Sequence, residues 1–244
     1  MAQKLPDGGK ELEFLDQLSR TTGRRKFLHW SGLTLAVVAL GCSDDDATGV
    51  GLPPDATGVD LGSGDTGVLN YAYALEQLEA AFYTQVVASF YAGASAQEQT
   101  ILTDIRNHEV IHRDFLKAAL GTSAIADLQV DFASINFADR ASVLGAAKTF
   151  EDLGVSAYNG AGQLLTDAAN LLVAGKIVSV EARHAAAIRD LLVPSSSGPG
   201  SFAGDDTVDP TTGLEIPERA PAAVLAAADT YVVTAINASG LPTS

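Results

Sequence analysis

The order glutamate, tyrosine, glutamate-x-x-histidine occurs twice along this chain, and nothing else in the sequence restricts the possible folds as much. Glu76 and Tyr83 precede Glu109 and His112, and Glu151 and Tyr158 precede Glu181 and His184. On a helix a three-residue step brings Glu109 and His112 to one face, and likewise Glu181 and His184, so each pair can hold a cation together. The flanking residues repeat as well. Ala72 and Ala80 around Glu76 correspond to Ala147 and Val155 around Glu151, and Ile105 and Leu116 around the first histidine motif correspond to Ile177 and Ile188 around the second. These offsets trace one helical stripe, which an ordinary helix would fill with apolar residues. Here each stripe is apolar at its ends and charged in the middle. Burying such carboxylates costs on the order of several kcal/mol each unless a cation neutralises them. Four carboxylates and two imidazoles are the ligand set of a dinuclear metal site inside a four-helix bundle.

The alternative is a pair of solvated helix faces held by exposed salt bridges. Ten glutamates and four histidines in 244 residues give only about 0.16 Glu-x-x-His matches by chance. Two matches, each with its own upstream glutamate and tyrosine, favour the metal reading. The upstream glutamates lie 33 and 30 residues ahead of the motifs, room for an antiparallel helix pair to return to the same height.

The helical pattern begins near Val68 and runs to Tyr91, with Gly93 as a stop. Ser95 and Glu98 form a capping-box signature opening a second helix to about Leu120, ended by Gly121. Residues 121–137 lack a sustained period and read as a long crossover. A third helix is predicted from about Ala138 to Leu165, its glycines at 145, 154, 160 and 162 permitting close helix packing, and a fourth from about Ala168 to Leu192. Residues 68–193 thus form the bundle and residues 194–220 an irregular loop. Residues 221–244 form a C-terminal helix and tail, the helix starting at Pro221 and running to about Ile236. No strand-like alternation of useful length appears, so the predicted fold class is all-α.

Ahead of the bundle, residues 1–41 read as an export signal. Arg24-Arg25-Lys26-Phe27-Leu28 resembles a twin-arginine core, and the apolar run after it is about ten residues, short of the roughly 20 that span a bilayer. An uncut anchor is the alternative. Cys42, the single cysteine, follows Gly41 as in a lipoprotein cleavage box, which predicts lipidation there; an ordinary cut nearby with an incidental thiol is the other possibility. Residues 42–67, rich in Asp, Gly, Pro and Thr, read as a flexible tether. The expected location is therefore periplasmic or cell-envelope, with membrane contact only through the lipid. A net charge of −15 argues against nucleic acid as a partner and is compatible with cations.

On these motifs, and on the phrases Leu78-Glu79-Ala80-Ala81-Phe82-Tyr83 and Val180-Glu181-Ala182-Arg183-His184-Ala185-Ala186, the chain resembles the ferritin-like superfamily of bacterioferritins, rubrerythrins and manganese catalases. The closer resemblance is to the exported ferritin-like, desiccation-related group. It implies a ferritin-like four-helix bundle with a long crossover and a fifth C-terminal helix. It also implies that Glu76 and Glu151 each bind one metal terminally and that Glu109 and Glu181 bridge two ions. His112 and His184 then complete the coordination, and Tyr83 and Tyr158 hydrogen-bond ligand carboxylates. Glu79, one turn from Glu76, is the alternative first-helix ligand. An aspartate often precedes the bridging glutamate in bacterioferritin-like patterns; here His108 and Val180 stand in those places. Mixed carboxylate and imidazole ligands suit iron or manganese, and the resemblance implies two metal ions with iron as the first expectation and manganese as the second. The implied co-substrate is O2 or peroxide, in a ferroxidase, peroxidase or catalase-like reaction. The rival is a non-catalytic metal-binding or stress-related envelope protein.

Overall fold

Four long helices form where the sequence repeats its charged stripes. A computed structural model of the chain describes residues 58–193, 202–216 and 219–243. Helix α1 (Gly64–Ala88) is enclosed on nearly all sides, from Val68 through Val86. Helix α2 (Ala96–Leu120) opens on the capping box: the Ser95 hydroxyl accepts the Glu98 amide N–H, and the Glu98 carboxylate accepts the Ser95 amide at 2.7 Å. Glu98 also accepts Nε of Arg140 at 2.6 Å. Arg140 opens α3 (Arg140–Gly162), so one carboxylate ties two helix starts together. The same arginine donates to the Leu191 carbonyl near the end of α4 (Ala168–Leu192). Asp139 and Asp167 cap α3 and α4 by accepting the amides of Ser142 and Ala169. Helix α1 packs chiefly against α2 and α3 against α4, the two halves of the repeat.

The crossover between the halves is not a loose loop. It starts as a 3-10 turn, Gly121–Ser123, and is then captured by two buried amides on α1. The Asn70 amide nitrogen donates to the carbonyls of Leu61 and Ser123, and its oxygen accepts the Ile125 amide. One helical repeat further on, the Gln77 oxygen accepts the Leu128 amide at 2.7 Å. Phe132 and Ile135 then enter the core. Isolated polar residues in an apolar run gave no hint of this partnership, because the partners lie about 50 residues away.

Three expectations need correction. First, the ordered domain begins before residue 68. Leu61 is fully buried and α1 opens at Gly64, so residues 59–67 belong to the domain rather than to a tether. Second, the C-terminal helix α5 is short, Pro221–Ala228, and does not reach Ile236. Beyond it Val232 bridges to Val130, and the strand β2 (Ile236–Asn237) pairs in parallel with β1 (Val59–Asp60). Both corrections have one cause. The backbones of Val59 and Leu61 donate to the carbonyls of Ala235 and Asn237, a pairing far apart in sequence and too short to leave an alternating pattern. Third, only some of the helical glycines serve packing. A Cβ on Gly160 would overlap the Arg219 carbonyl of the segment crossing α3, whereas one on Gly145 would meet open space.

Among the described residues no helix is long and apolar enough to cross a membrane. Arg24, Arg25, Cys42 and the tether up to residue 57 lie outside the described residues, as does much of the loop around 194–201.

Replacing Asn70 by Ala strips partners from two carbonyls and one amide at once. Leaving buried groups unpaired costs about 1–3 kcal/mol each before water relieves them, so N70A is expected to lower the unfolding free energy by roughly 2–4 kcal/mol. Chemical denaturation followed by circular dichroism checks it; a change within about 0.5 kcal/mol would mean that the crossover is not anchored through this side chain.

Candidate metal centre

All six residues of the repeated motif meet in the middle of the bundle. Glu76 comes from α1, Glu109 and His112 from α2, Glu151 from α3, and Glu181 and His184 from α4. The four glutamates are fully buried, His184 is nearly so, and His112 is partly buried. Two overlapping groups result. Glu76, Glu109, His112 and Glu181 form one, and Glu109, Glu151, Glu181 and His184 form the other; in each, one donor atom per residue lies within 4.8 Å of the rest. Glu109 and Glu181 belong to both.

The two halves match closely. Nδ1 of His112 lies 2.9 Å from Glu181, 3.5 Å from Glu76 and 3.6 Å from Glu109. Nδ1 of His184 lies 2.8 Å from Glu109, 3.5 Å from Glu151 and 3.6 Å from Glu181. Each imidazole therefore approaches the glutamate of the opposite motif more closely than the one on its own helix. None of these contacts has hydrogen-bond geometry. Eight buried donor atoms are left without a hydrogen-bond partner: Oε2 of Glu76 and Glu151, both carboxylate oxygens of Glu109 and Glu181, and Nδ1 of both histidines. Buried polar atoms without partners are rare in folded proteins. Eight converging on one point, all oxygen or imidazole nitrogen, fit a pair of divalent cations.

The tyrosines cross between the halves. Tyr83 donates to Glu151 at 2.5 Å and Tyr158 donates to Glu76 at 2.6 Å. Each tyrosine thus bonds the motif glutamate of the other half, not the one seven residues before it on its own helix. Seven residues of helix span about 10 Å, beyond the reach of a tyrosine, whereas antiparallel α1 and α3 set Tyr83 opposite Glu151 and Tyr158 opposite Glu76. The hydroxyls occupy Oε1 of each carboxylate and leave Oε2 turned to the centre.

The same register separates Glu76 from Glu79. Glu79 is buried but belongs to neither group; its carboxylate lies against Gly154 of α3, where a Cβ would come within 2.9 Å of Oε1. Gly154 is the gap into which Glu79 fits.

Electrostatics follow from burial and crowding. Desolvation, with the charges of Glu181 and Glu109, holds the Glu76 carboxyl well above its usual range, and desolvation with all four neighbouring carboxylates does the same to Glu79. Burial pushes Glu151 up to about 8 against the pull of His184. Glu109 runs the other way: burial would raise it, but His112 and His184 together hold it below the carboxylate range. Burial likewise opposes charge on the imidazoles, yet the surrounding carboxylates prevail and push both His112 and His184 up to about 12. Without a metal, the centre keeps its charges tolerable by holding protons.

One neighbour was not placed by the sequence. His108, on the exposed side of α2, has its Nδ1 2.9 Å from Nε2 of His184. A histidine directly before a motif glutamate was the only signal for it.

Compared with known proteins, residues 64–194 match a family model described as a ferritin-like domain. No curated protein matches the chain.

The pH dependence of the metal-free protein follows from Glu151, with Glu76 acting in the same sense. Between its ordinary value of 4.5 and about 8, the folded Glu151 keeps a proton that the unfolded chain has released. The stability carried by that proton is complete below pH 4.5 and lost as pH rises through about 8. In chelator, Tm is therefore expected to fall between pH 5 and 8, and the rise in Tm on adding Mn(II) to grow over the same interval. Thermal scans with and without metal test this; a metal-free Tm that climbs with pH would contradict it.

Proposed function

The chain belongs to the ferritin-like domain family, and on that premise we propose that it is an exported di-metal carboxylate protein, redox-active toward O2 or peroxide. The observation that carries the reading is the pair of donor groups sharing Glu109 and Glu181. Glu76 and His112 would hold one ion and Glu151 and His184 the other, with Glu109 and Glu181 available to both. Four carboxylates balance the charge of two divalent ions, and neutral imidazoles complete the set, so the core becomes neutral once loaded. Carboxylate and imidazole donors suit iron or manganese. Two such ions, when bound, supply two-electron redox chemistry for ferroxidase, peroxidase or catalase-like turnover.

The chain's own residues support this by what they hold in place. Tyr83 and Tyr158 fix one oxygen of each terminal carboxylate, which limits how far Glu151 and Glu76 can swing. Enclosure of all four glutamates keeps bulk water from competing for the donor atoms. Export through a twin-arginine route, with a lipid on Cys42, belongs to the same reading and is supported by the sequence of residues 24–42. It would put a folded, loaded domain in the envelope.

Metal analysis of the purified domain is expected to find two ions per chain. Glu109→Ala and His184→Ala should each abolish uptake of at least one ion, while Glu79→Ala should leave the stoichiometry at two. Anaerobic Fe(II) loading followed by O2 or peroxide then reads turnover. Two ions without turnover would instead support a metal that only stabilises an envelope protein; fewer than two in the wild type would end the dinuclear reading. For location, Arg24→Lys with Arg25→Lys is expected to retain the protein in the cytoplasm, and Cys42→Ser to move it from the membrane to the soluble envelope fraction. Fractionation showing both variants unchanged would remove the export proposal.

A further inference from the structure

The two halves of the centre differ at one contact. His184 presents Nδ1 to the carboxylates, and its other ring nitrogen, Nε2, lies 2.9 Å from Nδ1 of His108. The ring planes are within 8° and the ring centres 5.1 Å apart. A nitrogen contact that short between centres that distant means that the imidazoles meet edge to edge, in plane, along the direction of the ring lone pair. That is hydrogen-bond geometry rather than stacking. On the other half the duplicated sequence puts Val180 where His108 stands, and a valine side chain offers no acceptor. Among the described residues no hydrogen bond reaches Nε2 of His112.

We propose that His108 is a positioning residue for His184, and that through it the two metal positions become inequivalent, the Glu151/His184 position binding more tightly. This rests on the two-metal reading above. A histidine that ligates through Nδ1 must carry its proton on Nε2, and an acceptor at Nε2 fixes both that tautomer and the ring plane while making Nδ1 a better donor. His108 supplies this acceptor through Nδ1, so its own proton sits on Nε2. The ring plane of His184 is thereby set before any ion arrives. His112 meets the carboxylates at Nδ1 just as His184 does but has no such acceptor at Nε2 among the described residues, so its ring loses more freedom when it binds. The chain thus gives one of two otherwise matching positions an oriented ligand, and the ions enter in order.

Mn(II) titration of the full chain, with free Mn(II) read by electron paramagnetic resonance, tests the order directly. The wild type is expected to bind two ions in two resolved steps. His108→Leu, which keeps bulk but removes the acceptor, should weaken the tighter step on the order of 10–100-fold and leave the weaker one in place. His108→Asn, whose amide oxygen can stand where Nδ1 stands, should restore the tight step. Far-ultraviolet circular dichroism checks that the variants fold, which an exposed position favours. Two wild-type ions with one common affinity, or an H108L titration matching wild type, overturns the inference while leaving two metals intact. Equal weakening of both steps, or failure of H108N to restore the first, overturns it too. A wild type that binds fewer than two ions takes down the two-metal reading and this inference with it.

Discussion

Four carboxylates enclosed at one height of a helical core are the constraint on which the rest of the structure depends. Each has lost its water and each faces the others, so the fold is stable only if something in the centre answers their charge. The two imidazoles do so in part, pushed up to about 12 by the surrounding glutamates. The eight donor atoms without hydrogen bonds mark what remains to be answered. A bundle that only needed to pack would have kept these stripes apolar.

The scaffold around the centre makes that concentration of charge tolerable by being rigid. Phe82 and Phe150, each next in sequence to a site residue, meet edge to face at 4.9 Å, and Tyr231 from the C-terminal segment closes on Phe150 at 4.8 Å. Arg140 and Glu98 lock helix starts at one end of the bundle, and at the other Asp65 accepts the amides of Thr166 and Asp167 in the turn between α3 and α4. The tyrosine bonds cross from each half to the other, so neither half can form its share of the site alone. Duplication here yields an interlocked pair rather than two independent modules.

How much could be read in advance varied with how local the signal was. The Glu-x-x-His steps, the capping box and the crossover all have short-range signatures, and the positions of four helices followed from them. Glu76 and Glu79 could not be separated that way, because both face the interior from one turn of α1; the Gly154 gap on α3 is what parts them. The sequence left open which glutamate each tyrosine meets, because the antiparallel register joins them across helices. Asn70, Gln77 and the β1–β2 pairing were silent for the same reason, since their partners come from distant segments.

The sequence by itself determined that this chain is an all-α bundle with a duplicated acidic and imidazole stripe, because helical period and charge are properties of neighbouring residues. Only the tertiary structure decided which carboxylates converge, that the tyrosines reach across the halves, and that His108 touches His184 while Val180 stands in the matching place. Those depend on the register of antiparallel helices, which is set by packing along their whole length. A shift of one residue in that register would keep every local pattern and take the centre apart.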